Sequence, residues 1–152
     1  MQLLQNNKEY IIRAFENANL CVSVSDDRYS ARAQGENQRK ISMDKFAPGN
    51  NKQKWIYKIH PNGDDMFESK EYPGYFLDKH LGNRRIEPPD NRIILYPSNS
   101  SPAQRFTINT INDESTIHSN CKGGGYLSYS TDLTIICIEE PTKNTKFIFQ
   151  VC

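Results

Sequence analysis

Nowhere in these 152 residues is there a run of about 18 apolar side chains, the length a helix needs to cross a bilayer. The opening Met1 to Lys8 also lacks the continuous apolar stretch of a secretory leader. The expectation is a soluble protein without direct membrane insertion, cytoplasmic or exported by a route that reads no such leader. An excess of one charge is missing too: 19 Lys and Arg face 18 Asp and Glu, a net +1. With no basic field to gather phosphate backbones, nucleic acid is not the expected partner. The densest positive stretch, Gly82-Asn83-Arg84-Arg85 with Lys79 and His80 beside it, is too small to alter this. Metal spacings are absent: Cys21, Cys121, Cys137 and Cys152 form no CxxC, and His60, His80 and His118 form no HExxH. No metal or other cofactor is therefore expected, and the four thiols are expected to be unpaired, as in a reducing compartment. Gly123-Gly124-Gly125 runs into Tyr126 rather than Lys-Ser/Thr, so it reads as a turn and not a phosphate loop. No titratable groups pair at a spacing that implies catalysis, and the expectation is a protein that is not an enzyme. Segments of helical period are absent as well.

What is present is a pattern repeated three times. Phe67 and Ser69 stand nine and seven residues before Phe76, and the same offsets place Ile117 and Ser119 before Tyr126, and Ile12 and Ala14 before Cys21. After each pivot comes an aliphatic residue and then a small or acidic one: Cys21-Val22-Ser23, Phe76-Leu77-Asp78 and Tyr126-Leu127-Ser128. Each copy closes on alternating residues, Trp55/Tyr57/Ile59, Phe106/Ile108/Thr110 and Phe147/Phe149/Val151. Three copies of a pattern imply three copies of one structural unit. Their bounds fall at about 10–63, 64–113 and 114–152, a single domain over residues 9–152 behind a polar lead-in of residues 1–8.

Strands follow from the period of two. Tyr10 to Ala14 and Leu20 to Val24 read as the first pair, and Ser25 to Lys40 as a long polar loop that includes a short extended piece. Ile41 to Met43 and Gln53 to Ile59 complete the unit. The second unit has Met66 to Lys70, Tyr75 to His80, Arg92 to Tyr96 and Gln104 to Ile108. The third has Thr116 to Asn120, Tyr126 to Tyr129, Leu133 to Ile138 and Lys146 to Val151. Four short strands cannot bury an apolar face or hide their edges alone. Three such units around a pseudo-threefold axis can close six strands into a barrel capped by three hairpins, which makes the expected fold all-β, a β-trefoil. The core should then hold the trios Ile12/Phe67/Ile117, Val22/Leu77/Leu127 and Trp55/Phe106/Phe147.

Gln53-Lys54-Trp55 has the Gln-x-Trp form, Gln104-Arg105-Phe106 departs from it by one residue, and Thr145-Lys146-Phe147 keeps only the aromatic. With Phe76-Leu77-Asp78, these motifs resemble the ricin B-type β-trefoil lectin family over nearly the whole chain. The resemblance implies carbohydrate binding, with a glycan, glycoprotein or glycolipid as partner. It places Asp78 at the sugar-binding aspartate, Tyr96 at the stacking aromatic after the Ile-x-Leu strand, Asn99 in the loop behind it and Gln104 at the motif glutamine. Ala103 stands where the family has asparagine. Ser23 and Ser128 stand at the aspartate position of the other repeats, so the second repeat is the main expected site. The family's disulfide within a repeat has no counterpart, since Cys21 has no cysteine near Pro48.

The residue types suit a sugar on their own terms, because a carboxylate or amide aimed across an aromatic plane meets both hydroxyls and C–H patches. Structural jobs stand beside these roles: Gln53 and Gln104 also fit as loop braces, and Tyr96 as a plain strand aromatic. Two other trefoil functions remain open. One is a protease inhibitor acting through the Ser25 to Lys40 loop, and the other a receptor-binding signalling trefoil, since Gly74-Tyr75-Phe76-Leu77 is similar to a stretch of the fibroblast growth factors. A single shallow site binds weakly, so strong agglutination would imply a homodimer or a second site.

Overall fold

Period-two alternation dries one face of a strand, and the described residues form twelve strands, several of which alternate in this way. The computed structural model describes residues 4–29, 38–80 and 91–152. The first repeat supplies β1 (Glu9–Ala14), β2 (Leu20–Arg28), β3 (Arg39–Lys45) and β4 (Trp55–Ile59). The second supplies β5 (Asp65–Ser69), β6 (Tyr75–Lys79), β7 (Ile93–Pro97) and β8 (Phe106–Ile111). The third supplies β9 (Glu114–Ser119), β10 (Tyr126–Tyr129), β11 (Ile135–Ile138) and β12 (Phe147–Val151).

The first and last strands of the repeats form a closed antiparallel ring, β1 to β4, β5, β8, β9, β12 and back to β1. Closure removes the free edges that a four-stranded unit would expose. The remaining strands pair as hairpins β2–β3, β6–β7 and β10–β11. These hairpins touch one another in a triangle: Arg39 pairs with Leu95, Arg92 bridges Ile136, and Ser42 bridges Thr134. This is the β-trefoil. All nine members of the three trios are 0% exposed and lie in one apolar cluster, where each contributes about 1.5–3 kcal/mol. The indole of Trp55 donates to the Val22 carbonyl at 3.0 Å, so its polar atom is satisfied inside the core.

Several local expectations change. The extended part of Ser25 to Lys40 is longer than a short piece, because β2 reaches Arg28 and pairs it with Arg39 beyond an irregularity after Val24. Within that segment residues 30–37 lie outside the described residues, as do residues 81–90 with the Gly82 to Arg85 corner. Gln53 and Gln104 precede their strands in single 3-10 turns, Asn51–Gln53 and Pro102–Gln104. Local chemistry accounts for these turns: the Asn50 side chain accepts from the Lys52 amide at 3.0 Å, and Pro102 presets the backbone of the second. Strand β11 starts at Ile135 and not Leu133, whose φ of +68° belongs to a turn.

One position breaks the threefold pattern. Val24 lies opposite Ile41, Lys79 opposite Ile93 and Tyr129 opposite Ile135. Lys79 therefore fills a place that the other repeats give to apolar side chains, and it is 2% exposed. Its ammonium donates to the Gly124 carbonyl at 2.5 Å and the Lys122 carbonyl at 3.3 Å. A side chain of the second repeat thus clasps the β9–β10 turn of the third.

Candidate functional site

Strand β6 is buried on both faces, and its alternation sorts two kinds of side chain. Leu77 and Lys79 point inward, while Phe76 and Asp78 share the opposite face. Across the hairpin, Phe76 lies opposite Tyr96 and Asp78 opposite Ile94. Residues directly opposite share a face, so Asp78 and Tyr96 are diagonal neighbours there, on the order of 7–8 Å apart at the backbone. Tyr96 is half-buried inside β7, within the strand read for it from the sequence, and the strand continues to Pro97.

Asp78 is 6% exposed. Burial pushes its carboxyl up to about 7, against the opposing pull of the Gln104 side-chain amide. Gln104, 1% exposed, donates to the Pro97 carbonyl at 2.9 Å and the Tyr96 carbonyl at 3.3 Å, and accepts from the Asn99 amide at 3.2 Å. One glutamine thereby ties the end of β7 to the following loop, the structural brace expected of it. Asn99 is exposed and accepts from the Ser101 amide at 3.0 Å, a local turn that sets the loop behind Tyr96.

The other repeats keep parts of this wiring. In the first, Gln53 donates to the Lys45 carbonyl at 2.8 Å and accepts from the Ala47 amide at 2.9 Å, but Ser23 stands at the acid's position. In the third, Thr145 replaces the glutamine and closes a capping box with Thr142 around the turn Lys143–Thr145. Asn144 bonds the Tyr129 carbonyl there at 3.1 Å. Ser23 and Ser128 are each 5% exposed, so position 78 is a shielded place in all three repeats.

Sequence reasoning missed two polar arrangements. Lys79 is one; comparing it with Val24 and Tyr129 would have revealed a charge at a core position. The other joins residues far apart in the chain: Asp26 accepts from the Tyr72 hydroxyl and from Lys52 at 2.7 Å, while the Arg39 guanidinium lies 3.9 Å from the Tyr72 ring centre. Those partners hold the Asp26 carboxyl below its ordinary range, Lys52 first and Tyr72 second. The cluster knits the β2–β3 hairpin to the turn before β6, and no local sequence signal announces it.

Nucleophiles and metal ligands are not gathered in this region. The four cysteines are free, and burial pushes the thiols of Cys21 and Cys137 up to about 12, which keeps them protonated at neutral pH. Among the described residues no group of three His, Cys, Asp or Glu could hold a metal ion. No helix among them is long and apolar enough to cross a membrane.

No protein-family model matches the sequence, and no curated protein matches it either. Solved structures do match. The chain superposes on a mosquitocidal holotoxin with a TM-score of 0.79 at 18% identity, covering 98% of this chain and 18% of the toxin. It superposes on the Polyporus squamosus lectin, solved with the human-type influenza-binding epitope Neu5Aca2-6Galb1-4GlcNAc, with a TM-score of 0.73 at 18% identity, over 98% of this chain and 50% of the lectin. A designed threefold-symmetric protein, ThreeFoil, matches with a TM-score of 0.71 at 12% identity, over 93% of this chain and 96% of its own. This chain spans half or less of the two natural proteins, and the likeness, like the closed barrel and its three hairpins, is that of a β-trefoil.

Proposed function

We propose that the chain is a carbohydrate-binding β-trefoil of the ricin B type that reads a glycan mainly through its second repeat. Asp78 accepts sugar hydroxyls, Tyr96 supplies an apolar platform, Asn99 borders the platform, and Gln104 positions the carboxylate. The observation that carries this reading is the face that Asp78 and Tyr96 share on the β6–β7 hairpin, in the one repeat with an acid at that place, with the buried Gln104 amide anchored on the Tyr96 and Pro97 carbonyls beside it. A shielded carboxylate has little water to lose when a hydroxyl approaches, and its hydrogen bond is stronger in that low-dielectric setting. The fold's likeness to a sugar-bound lectin supports the same class of ligand. The inhibitor alternative depended on Ser25 to Lys40 as a free loop, and β2 and β3 account for part of that stretch.

A glycan array at pH 8, where Asp78 is mainly ionised, followed by titration calorimetry of the best ligand, tests the proposal. Asp78→Ala is expected to cost about 1.5–3 kcal/mol, more than tenfold in affinity. Tyr96→Ala should also weaken binding. Wild-type affinity in Asp78→Ala would sink the second-repeat site.

A further inference from the structure

At one end of the barrel, where β1 and β9 begin and β8 and β12 end, the trefoil leaves a cavity of about 200 Å³. Its lining includes Leu4, Tyr10, Thr110, Asp113, Ser115 and Phe149. None of these residues belongs to the β6–β7 hairpin. The apolar side of the cavity is aromatic: Phe149 stacks on the buried Phe67 at 5.8 Å and 9°, and meets the Tyr10 ring edge-on at 6.3 Å and 88°. Phe67 covers one face of Phe149, yet Phe149 is only half-buried and lines the cavity, so ring surface remains for a ligand.

The polar side is built from the β8–β9 turn and its flanking pair. Asn112 and Asp113 have φ of +52° and +65°, the geometry of a tight primed hairpin turn, which fixes Asp113 as an exposed carboxylate at this cavity. Behind it, the Thr110 and Ser115 hydroxyls lie 2.7 Å apart, so one proton joins them and lone pairs remain available to a ligand hydroxyl. The Tyr10 hydroxyl accepts from the Gln5 amide at 2.9 Å and keeps its own proton to donate.

We propose that this cavity is a second carbohydrate subsite, taking one pyranose ring, with the sugar's C–H face on Phe149 and a pair of its hydroxyls on Asp113. The volume falls below the several hundred cubic ångströms typical of drug-sized pockets, which limits the occupant to about one ring. Mixed lining selects the class: an aromatic surface opposite a carboxylate and a hydroxyl pair suits a molecule with one apolar and one hydroxylated aspect. The subsite does not depend on whether Asp78 binds sugar.

Saturation-transfer NMR on the full chain tests this, using methyl glycosides of glucose, galactose, mannose, fucose, N-acetylglucosamine and N-acetylgalactosamine, with tetramethylammonium as the cationic competitor. Measurement in an Asp78→Ala background removes the hairpin site from the signal, so the two readings fail separately. At least one pyranoside is expected to saturate in the millimolar range. Asp113→Asn, which retains a residue tolerant of positive φ, should weaken it at least fivefold, and Phe149→Leu about tenfold. Asp113 is exposed, so its variant carries the test even if Phe149→Leu folds poorly. Absence of saturation by every pyranoside, an unchanged affinity in Asp113→Asn, or saturation by tetramethylammonium in place of a sugar overturns the proposal.

Discussion

In the second repeat the β6–β7 hairpin places Asp78 and Lys79 side by side, 6% and 2% exposed, where the third repeat places Ser128 and Tyr129. The two residues point to opposite faces of their strand: Asp78 lies beside the Gln104 amide, and Lys79 donates to two carbonyls of the β9–β10 turn. The backbone scaffold is common to both repeats, but only one invests buried charge in it. Three apolar trios hold the architecture, and that leaves positions 78 and 79 able to depart from the pattern. Departures from local consistency of this kind tend to gather where a fold carries function.

The comparison can be broken most forcefully at the shared core. Trp55→Ala, Phe106→Ala and Phe147→Ala should each cost about 3–5 kcal/mol in urea unfolding. Costs that differ by more than the spread within that range would show that the repeats do not share the load.

Next in size is the pH dependence contributed by Asp78. Its folded-state carboxyl is raised from 3.8 to about 7, so the native chain holds this proton more tightly than the unfolded chain does. The stabilisation is fully present below pH 3.8, declines as pH rises, and is lost above about 7. At about 1.4 kcal/mol for each pH unit between those two values, the change is at most on the order of 4 kcal/mol. Thermal unfolding of wild type and Asp78→Asn between pH 4 and 8 should show the variant gaining relative stability with pH, and parallel profiles would contradict the assignment.

Lys79→Ala should follow, at about 2–3 kcal/mol, through lost packing and carbonyls left without their donor. Lys79→Met restores volume and should recover part of that loss, and hydrogen exchange should rise at the 121–125 turn in both variants. Protection unchanged in both would mean that the clasp does not hold the turn. The smallest expected effect lies at the serines: Ser23→Ala and Ser128→Ala should change glycan affinity by less than about 0.5 kcal/mol. If either serine variant loses binding while Asp78→Ala retains it, the contrast between the repeats is reversed.

Much of this was readable in the chain because the trefoil repeats its contacts. Ile12, Phe67 and Ile117 stand at equal offsets from their pivots, and equal offsets in equal strands lead to the same core position. The candidate site was legible only by type. Asp78 and Tyr96 stand out as residues, but their common face follows from the β6–β7 register, which pairs Asp78 with Ile94 and Phe76 with Tyr96. Gln104 could be read as brace or ligand until its hydrogen bonds to the Asn99 amide and the Tyr96 and Pro97 carbonyls showed the brace. The Asp26 cluster and the cavity around Phe149 had no signal at all, since their members come from strands and turns scattered through the chain.

By itself the sequence determined the number of repeats, the all-β character and the identity of the core trios, because short-range periodicity decides which side of a strand is dry. The depth of Asp78, the lodging of Lys79 beneath a turn of the next repeat, and the meeting of Asp113 with Phe149 were decided only by the tertiary structure. Each depends on which distant segments close over a side chain, and burial and hydrogen-bond partners are properties of that closure.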